Sequence, residues 1–147
     1  MVNKELKNAV TRKMKINIDT ITRASEELIG NIIRTPTIRS QHLSSEINGD
    51  VFLKLENLQY TSSFKVRGAY TSITRLKEEQ KKMGVIAMSA GNHAQAVAWW
   101  AKKERVNATI VMPEHAPLFK VMKTKSLGAD VILRAVSYTH LTLPTNL

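Results

Sequence analysis

Residues 85–133 read VIAMSAGNHAQAVAWWAKKERVNATIVMPEHAPLFKVMKTKSLGADVIL, and in them short apolar runs alternate with amphipathic stretches. Val85, Ile86, Ala87 and Met88 form the first run, bounded by Gly84 and Ser89, with the length and composition of a buried strand. A helical pattern over 93–103 follows, then an apolar run over 108–112, a helical pattern over 117–127 and a third run over 131–133. Strands joined through a helix pair in parallel, by right-handed crossovers. The pattern predicts an α/β fold with a parallel sheet.

Upstream, Val51, Leu53 and Leu55 alternate with Phe52, Lys54 and Glu56, predicting a half-buried strand over 51–56. Val66, Ala69, Tyr70, Ile73 and Leu76 then recur at helical spacing, predicting one helix from Lys65 to about Lys82, stopped by Met83 and Gly84. Lys65 thus stands at a strand-to-helix junction, where free N–H groups and the positive dipole end favour the free amine a nucleophile needs. Ser89-Ala90-Gly91-Asn92 has a similar setting between a buried strand and a helix, where outward N–H groups bind anions such as a carboxylate. Read singly, Lys65 is one solvated lysine among many, and Gly91-Asn92 is only a turn.

Their surroundings alter both readings. Leu53-Lys54-Leu55-Glu56-Asn57, Thr61 and Ser63-Phe64-Lys65-Val66-Arg67-Gly68-Ala69 resemble the cofactor-lysine segment of the pyridoxal-phosphate-dependent (fold type II) threonine dehydratases and their serine dehydratase and serine racemase relatives. Ser89-Ala90-Gly91-Asn92-His93-Ala94-Gln95, some twenty positions on, resembles the same family's substrate loop. The resemblance runs from about Asp19 to Val136. It implies that residues 16–56 are the N-terminal portion of a larger α/β domain, and that 57–136 form a small, three-layer parallel-sheet domain carrying the lysine and the substrate loop. Enzymes of this family are at least twice as long, so a truncated, N-terminal fragment is expected.

By this resemblance Lys65 forms the imine with pyridoxal phosphate and then serves as base at the substrate α-carbon, while Phe64 packs against the cofactor ring. Ser89 and Asn92 contact the substrate carboxylate and the cofactor's ring hydroxyl. Ala90, Gly91 and His93 complete the substrate loop, Gly91 permitting close backbone approach and His93 opening the helix. Arg67 either favours the free amine of Lys65 or lies at the surface. The implied reaction is deamination of L-threonine to 2-oxobutanoate and ammonia, with L-serine as the alternative substrate and a homo-oligomeric parent enzyme.

Three positions depart from the family pattern. Ser62 replaces a usual Gly, which costs about 1 kcal/mol if the backbone there needs positive φ. Ala96 replaces a common Gly and should mildly favour its helix. Ala90 stands where serine racemases commonly carry a second serine, and so favours a lyase. The family's later glycine-rich phosphate loop and pyridine-nitrogen ligand are not in the 147 residues, and the polypeptide alone is expected not to be a competent dehydratase.

Composition bounds the alternatives. The chain has no cysteine and four scattered histidines, so no metal site is expected. No apolar run reaches the ~20 residues of a membrane span, and no secretory signal is legible, which predicts a cytoplasmic protein without a membrane partner. The net charge of +10 raises a reading of another class, a small basic binding module for acidic partners. Residues 1–15 alone carry net +4, the rest is dispersed, and no basic stripe is interleaved with aromatics, so no nucleic-acid partner is expected. That N-terminal stretch reads as a disordered basic extension, with Met14 as another start and a transit peptide as the alternative. Asp19 is expected to cap a helix reaching about Ile33, followed by a short extended piece over 37–40, a brief helix to Ile47 and a turn over 48–50. Residues 137–147 break the helical pattern and look non-native, like translated adapter DNA.

Overall fold

The computed structural model describes residues 16–135. The expected basic extension over 1–15 and the tail over 137–147 lie outside the described residues. In chain order the elements are α1 (Ile18–Glu27), β1 (Thr37–Arg39), α2 (Gln41–Ile47), β2 (Phe52–Lys54), a 3-10 turn (Glu56–Leu58), α3 (Lys65–Thr74), α4 (Glu78–Met83), β3 (Val85–Met88), α5 (Asn92–Lys103), β4 (Ala108–Pro113), α6 (Leu118–Ser126) and β5 (Asp130–Arg134).

The three apolar runs form a parallel sheet in the order β3-β4-β5, with Val85 opposite Ala108 and Ile110 opposite Val131. Two right-handed crossovers along such an order put α5 and α6 on the same face. Burial alternates with period 2 in β3, while β4 is buried on both faces at Val111 and Met112. Val85, Ala87, Ala108, Ile110 and Met112 are buried, while Ile86 and Ile132 on the other face are exposed among the described residues. Of the three layers expected, the described residues supply the sheet and one helical layer, with α3 packed outside it on α5. Alanines at 94, 96, 98 and 101 of α5 are buried, and these short side chains let the helix approach both the sheet and α3.

The N-terminal part departs from expectation in detail. Asn17, not Asp19, caps α1: its Oδ1 accepts the Thr20 N–H at 2.9 Å while Thr20 Oγ1 accepts the Asn17 N–H at 3.1 Å. The helix ends at Glu27 instead of Ile33, and Gly30 follows with φ 77°. Leu28 is buried, but Ile21 and Ile29 are exposed. The strand over 51–56 shrinks to Phe52–Lys54, paired antiparallel with β1, and every residue of this two-stranded ribbon is exposed rather than half-buried. Alternation supplied a face, but among the described residues no layer covers it.

The single helix expected over 65–82 is two. Thr71 and Thr74 each bond back to the carbonyl four residues earlier, at 3.2 and 2.8 Å, and the hydroxyl-rich Thr71-Ser72-Ile73-Thr74 run is a poor helix continuation. The Gln80 Oε1 accepts the Lys77 N–H at 2.9 Å to start α4, whose acidic first turn and basic last turn suit its dipole. Gly84 ends it at φ 81°, and a Cβ there would lie 2.8 Å from the Asn107 backbone oxygen. Gly84→Ala should therefore destabilise the chain by roughly 2 kcal/mol or more, from the left-handed backbone and the contact together, read as a lower urea midpoint.

Candidate active site

Lys65 is the first residue of α3, and its side chain is exposed. Its N–H is directed at the Ser63 Oγ at 3.4 Å, and its Nζ lies 5.0 Å from the centroid of the exposed Phe64 ring. The second expected segment forms the start of α5. Gly91 is the N-cap and offers no side-chain oxygen, so the first-turn N–H groups of Asn92, His93 and Ala94 have neither a helical nor a capping partner. Ser89 Oγ accepts the Gly91 N–H at 3.2 Å, which leaves the hydroxyl proton free to donate. A Cβ on Gly91 would meet nothing within 4 Å, so the space over this turn is open. The close approach expected at Gly91 is therefore made by no protein group among the described residues.

The two segments meet because α3 packs on α5. His93, Val97 and Trp100 recur at i, i+4 and i+7 and share the face of α5 that α3 covers. Trp100 Nε1 donates to the Val66 carbonyl at 2.8 Å, next to Lys65 in the chain. At the start of the same face, burial lowers the His93 pKa, and the nearby Lys65 charge lowers it further. The imidazole is accordingly neutral at neutral pH. The structure thus brings Lys65, Phe64 and His93 together, while Ser89, Ala90, Gly91 and Asn92 form the turn from which His93 projects.

Sequence reasoning missed what holds the lysine loop. Arg67 is taken up by an ion pair: its Nε and Nη2 donate to Glu56 Oε2 and Oε1, both at 2.9 Å. Thr35 Oγ1 donates to the same Oε1 at 2.6 Å. Gln59, buried, clamps the Ile33 backbone in both directions, accepting its N–H at 3.2 Å and donating to its carbonyl at 2.7 Å. Tyr60 packs on Trp99 with ring centroids 4.9 Å apart. The available signal was the pairing of a buried-type Glu in one quoted motif with an Arg in the other, eleven residues on. Partners that far apart carry no periodicity.

Between these anchors the loop is locally uphill. Ser62 sits at φ 55°, the condition under which a residue other than Gly was expected to be costly there, and the buried Thr61 Oγ1 has no hydrogen-bond partner among the described residues. Ser62→Gly should relieve the strain and, net of the greater chain entropy of Gly, raise stability by about 0.5–1 kcal/mol in thermal or urea unfolding.

The Arg67 fork, together with Thr35, lowers the Glu56 pKa from 4.5 to about 2 against the opposing effect of burial. Because the folded-state value is the lower one, the stabilisation is complete above about pH 4.5 and is lost as pH falls toward 2. Stability measured across that window should drop with acid in the wild type. The same component should be missing from the acid limb of Glu56→Gln.

A profile of the pyridoxal-phosphate dependent enzyme family matches residues 28–141. The catabolic L-threonine dehydratase TdcB of Staphylococcus aureus (strain USA300) is 50% identical over 126 residues, 85% of this chain and 36% of that protein. The L-threonine ammonia-lyase of Thermotoga maritima is 51% identical over 118 residues, 80% of this chain and 29% of that protein. The structure of maize serine racemase superposes with a TM-score of 0.77 at 37% identity, over 84% of this chain and 37% of that one. The chain spans about a third of the length of these relatives. With more than half of its length matched and both expected segments inside the match, the chain belongs to the pyridoxal-phosphate dependent enzyme family.

Proposed function

We propose that this chain carries the catalytic lysine and substrate loop of a threonine dehydratase, a pyridoxal-phosphate-dependent ammonia-lyase that converts L-threonine to 2-oxobutanoate and ammonia. The observation that carries the reading is the exposed Lys65 amine at the start of α3, near enough to His93 in the first turn of α5 for its charge to act on the imidazole. Half identity to threonine dehydratases across both segments supports the substrate. In this reading residues 16–56 belong to a larger domain and 57–136 to a small one, within a cytoplasmic homo-oligomer.

The residues present suit the aldehyde and the ring of an aromatic cofactor. An accessible amine lies beside an exposed aromatic ring, and the turn over Gly91 is open to a ligand. Lys65 would hold pyridoxal phosphate, with Phe64 against its ring and Asn92 at its ring hydroxyl. When bound, the cofactor supplies the sink for the electron pair left at the substrate α-carbon.

The protein's own work is positioning and proton transfer. The Ser89 hydroxyl and the free N–H groups opening α5 bind the substrate carboxylate, with Ala90 and Gly91 leaving it room. The Lys65 amine takes the α-proton, and the β-hydroxyl leaves with a proton as water. Hydrolysis of the released enamine takes water back, so that threonine yields one 2-oxobutanoate and one ammonia.

L-Serine is the second reading, favoured by the structural likeness to a serine racemase. Ala90, which offers no hydroxyl on the opposite side of the substrate, supports a lyase over a racemase. In the protein that carries this sequence with the rest of the enzyme, Lys65→Ala should abolish both borohydride-trappable cofactor and 2-oxobutanoate formation from threonine. Retention of both would overturn the proposal, and relative turnover of threonine and serine, with a check for D-serine, decides between the substrates.

A further inference from the structure

Glu56 opens the 3-10 turn that follows β2, and Arg67 lies in the first turn of α3, so the fork between them closes the loop over 57–64 at its two ends. Lys65 and Arg67 are two positions apart and project roughly 200° apart around the helix, so Arg67 grips α3 from the side away from the lysine amine. The carboxylate is itself seated. Its Oε1 also accepts from Thr35, a residue 2% exposed whose carbonyl accepts from Lys54 Nζ.

The enclosed loop opposes this arrangement. Positive φ at Ser62 and the Thr61 hydroxyl, which has no partner among the described residues, are adjacent local costs, and a segment carrying two such costs keeps its shape only where its surroundings over-determine it. Gln59 and Tyr60 fix its early half, and the Glu56–Arg67 fork fixes the helix into which it runs. A bidentate guanidinium–carboxylate pair defines orientation as well as distance, which a lysine at 67 would not.

We propose that the Glu56–Arg67 fork, seated on Thr35, is the positioning device that holds the first turn of α3, and with it the Lys65 amine, in register with the start of α5. Glu56, Arg67 and Thr35 are positioning residues, since none is placed at the reacting atoms. The inference deepens the reading of Lys65 as the cofactor lysine and rests on it.

The test uses the full 147-residue chain with pyridoxal phosphate and borohydride, mapping by mass spectrometry the share of label that falls on Lys65 among all lysines. Amide exchange over residues 67–70, relative to that of β4, is followed in parallel. Ile73→Val, which trims a fully buried side chain in the same helix, controls for lost stability alone. Glu56→Gln and Arg67→Lys should each lower the Lys65 share about tenfold and speed the 67–70 exchange, whereas Ile73→Val should change neither. An unchanged share in Glu56→Gln, or an equal fall in Ile73→Val, overturns the proposal. If the wild-type chain shows no preference for Lys65, the cofactor-lysine reading is decided by Lys65→Ala in the longer protein, and the exchange decides positioning: selective loosening in Glu56→Gln sustains it, and exchange equal to Ile73→Val overturns it.

Discussion

The packing of α3 on α5 is the contact through which every other feature of the site is arranged. Trp100, 2% exposed, fills the space between the helices and spends its one indole N–H on the Val66 carbonyl. A carbonyl inside a helix has a second lone pair free, so this bond adds to the helical ladder without breaking it. Truncating a buried tryptophan to alanine typically costs about 3–5 kcal/mol, a large part of the stability of a domain this size. Tyr70 meets the same indole edge-on, at 4.8 Å between centroids, so the aromatic contact also sets the rotation of α3. One residue before Val66 comes the lysine.

Two helix N-termini are thereby turned toward one place, each lacking a side-chain cap. At α5 the unpaired N–H groups could take an anion in the proposed reading; at α3 the first residue is an amine. Uncapped helix ends cost stability, and Ser62 and Thr61 add to that cost within a few residues. Such concentration of local violations is what a functional site requires, because groups satisfied by the protein are not available to a ligand. The hydrogen-bonded groups of Glu56, Arg67, Thr35 and Gln59 hold the ends of the same loop.

The N-terminal part of the chain is attached by polar tethers more than by a shared core. Arg75 holds Glu27 at 2.8 Å, and Asn31 donates to the Tyr70 hydroxyl at 2.8 Å. Leu28 is buried and Ile32 packs against the core, while Ile18, Ile29 and Phe52 remain exposed on α1, the turn after it and the β-ribbon. The uncovered face of the sheet, with Ile86 and Ile132, adds to this apolar surface among the described residues.

The sequence alone was enough for the parallel sheet, its three strands, the two crossover helices and the family. Those signals are local: a run of four to six apolar residues, a 3.6-residue period, a contiguous motif. Ser62 stood out for the same reason, as a single residue out of keeping with its motif, and the structure supplied its positive φ. Tertiary structure decided the rest. Whether Phe52 or Leu53 was buried depended on what lay over the ribbon, which alternation cannot express. The break in the helix after Thr74 came from hydroxyls competing for backbone carbonyls within an otherwise amphipathic pattern. His93 was brought to Lys65 only by the crossing of two helices, and Arg67 to Glu56 only by closure of a loop. Contacts between residues distant in the chain are set by how faces meet, and a one-dimensional pattern records the faces but not their partners.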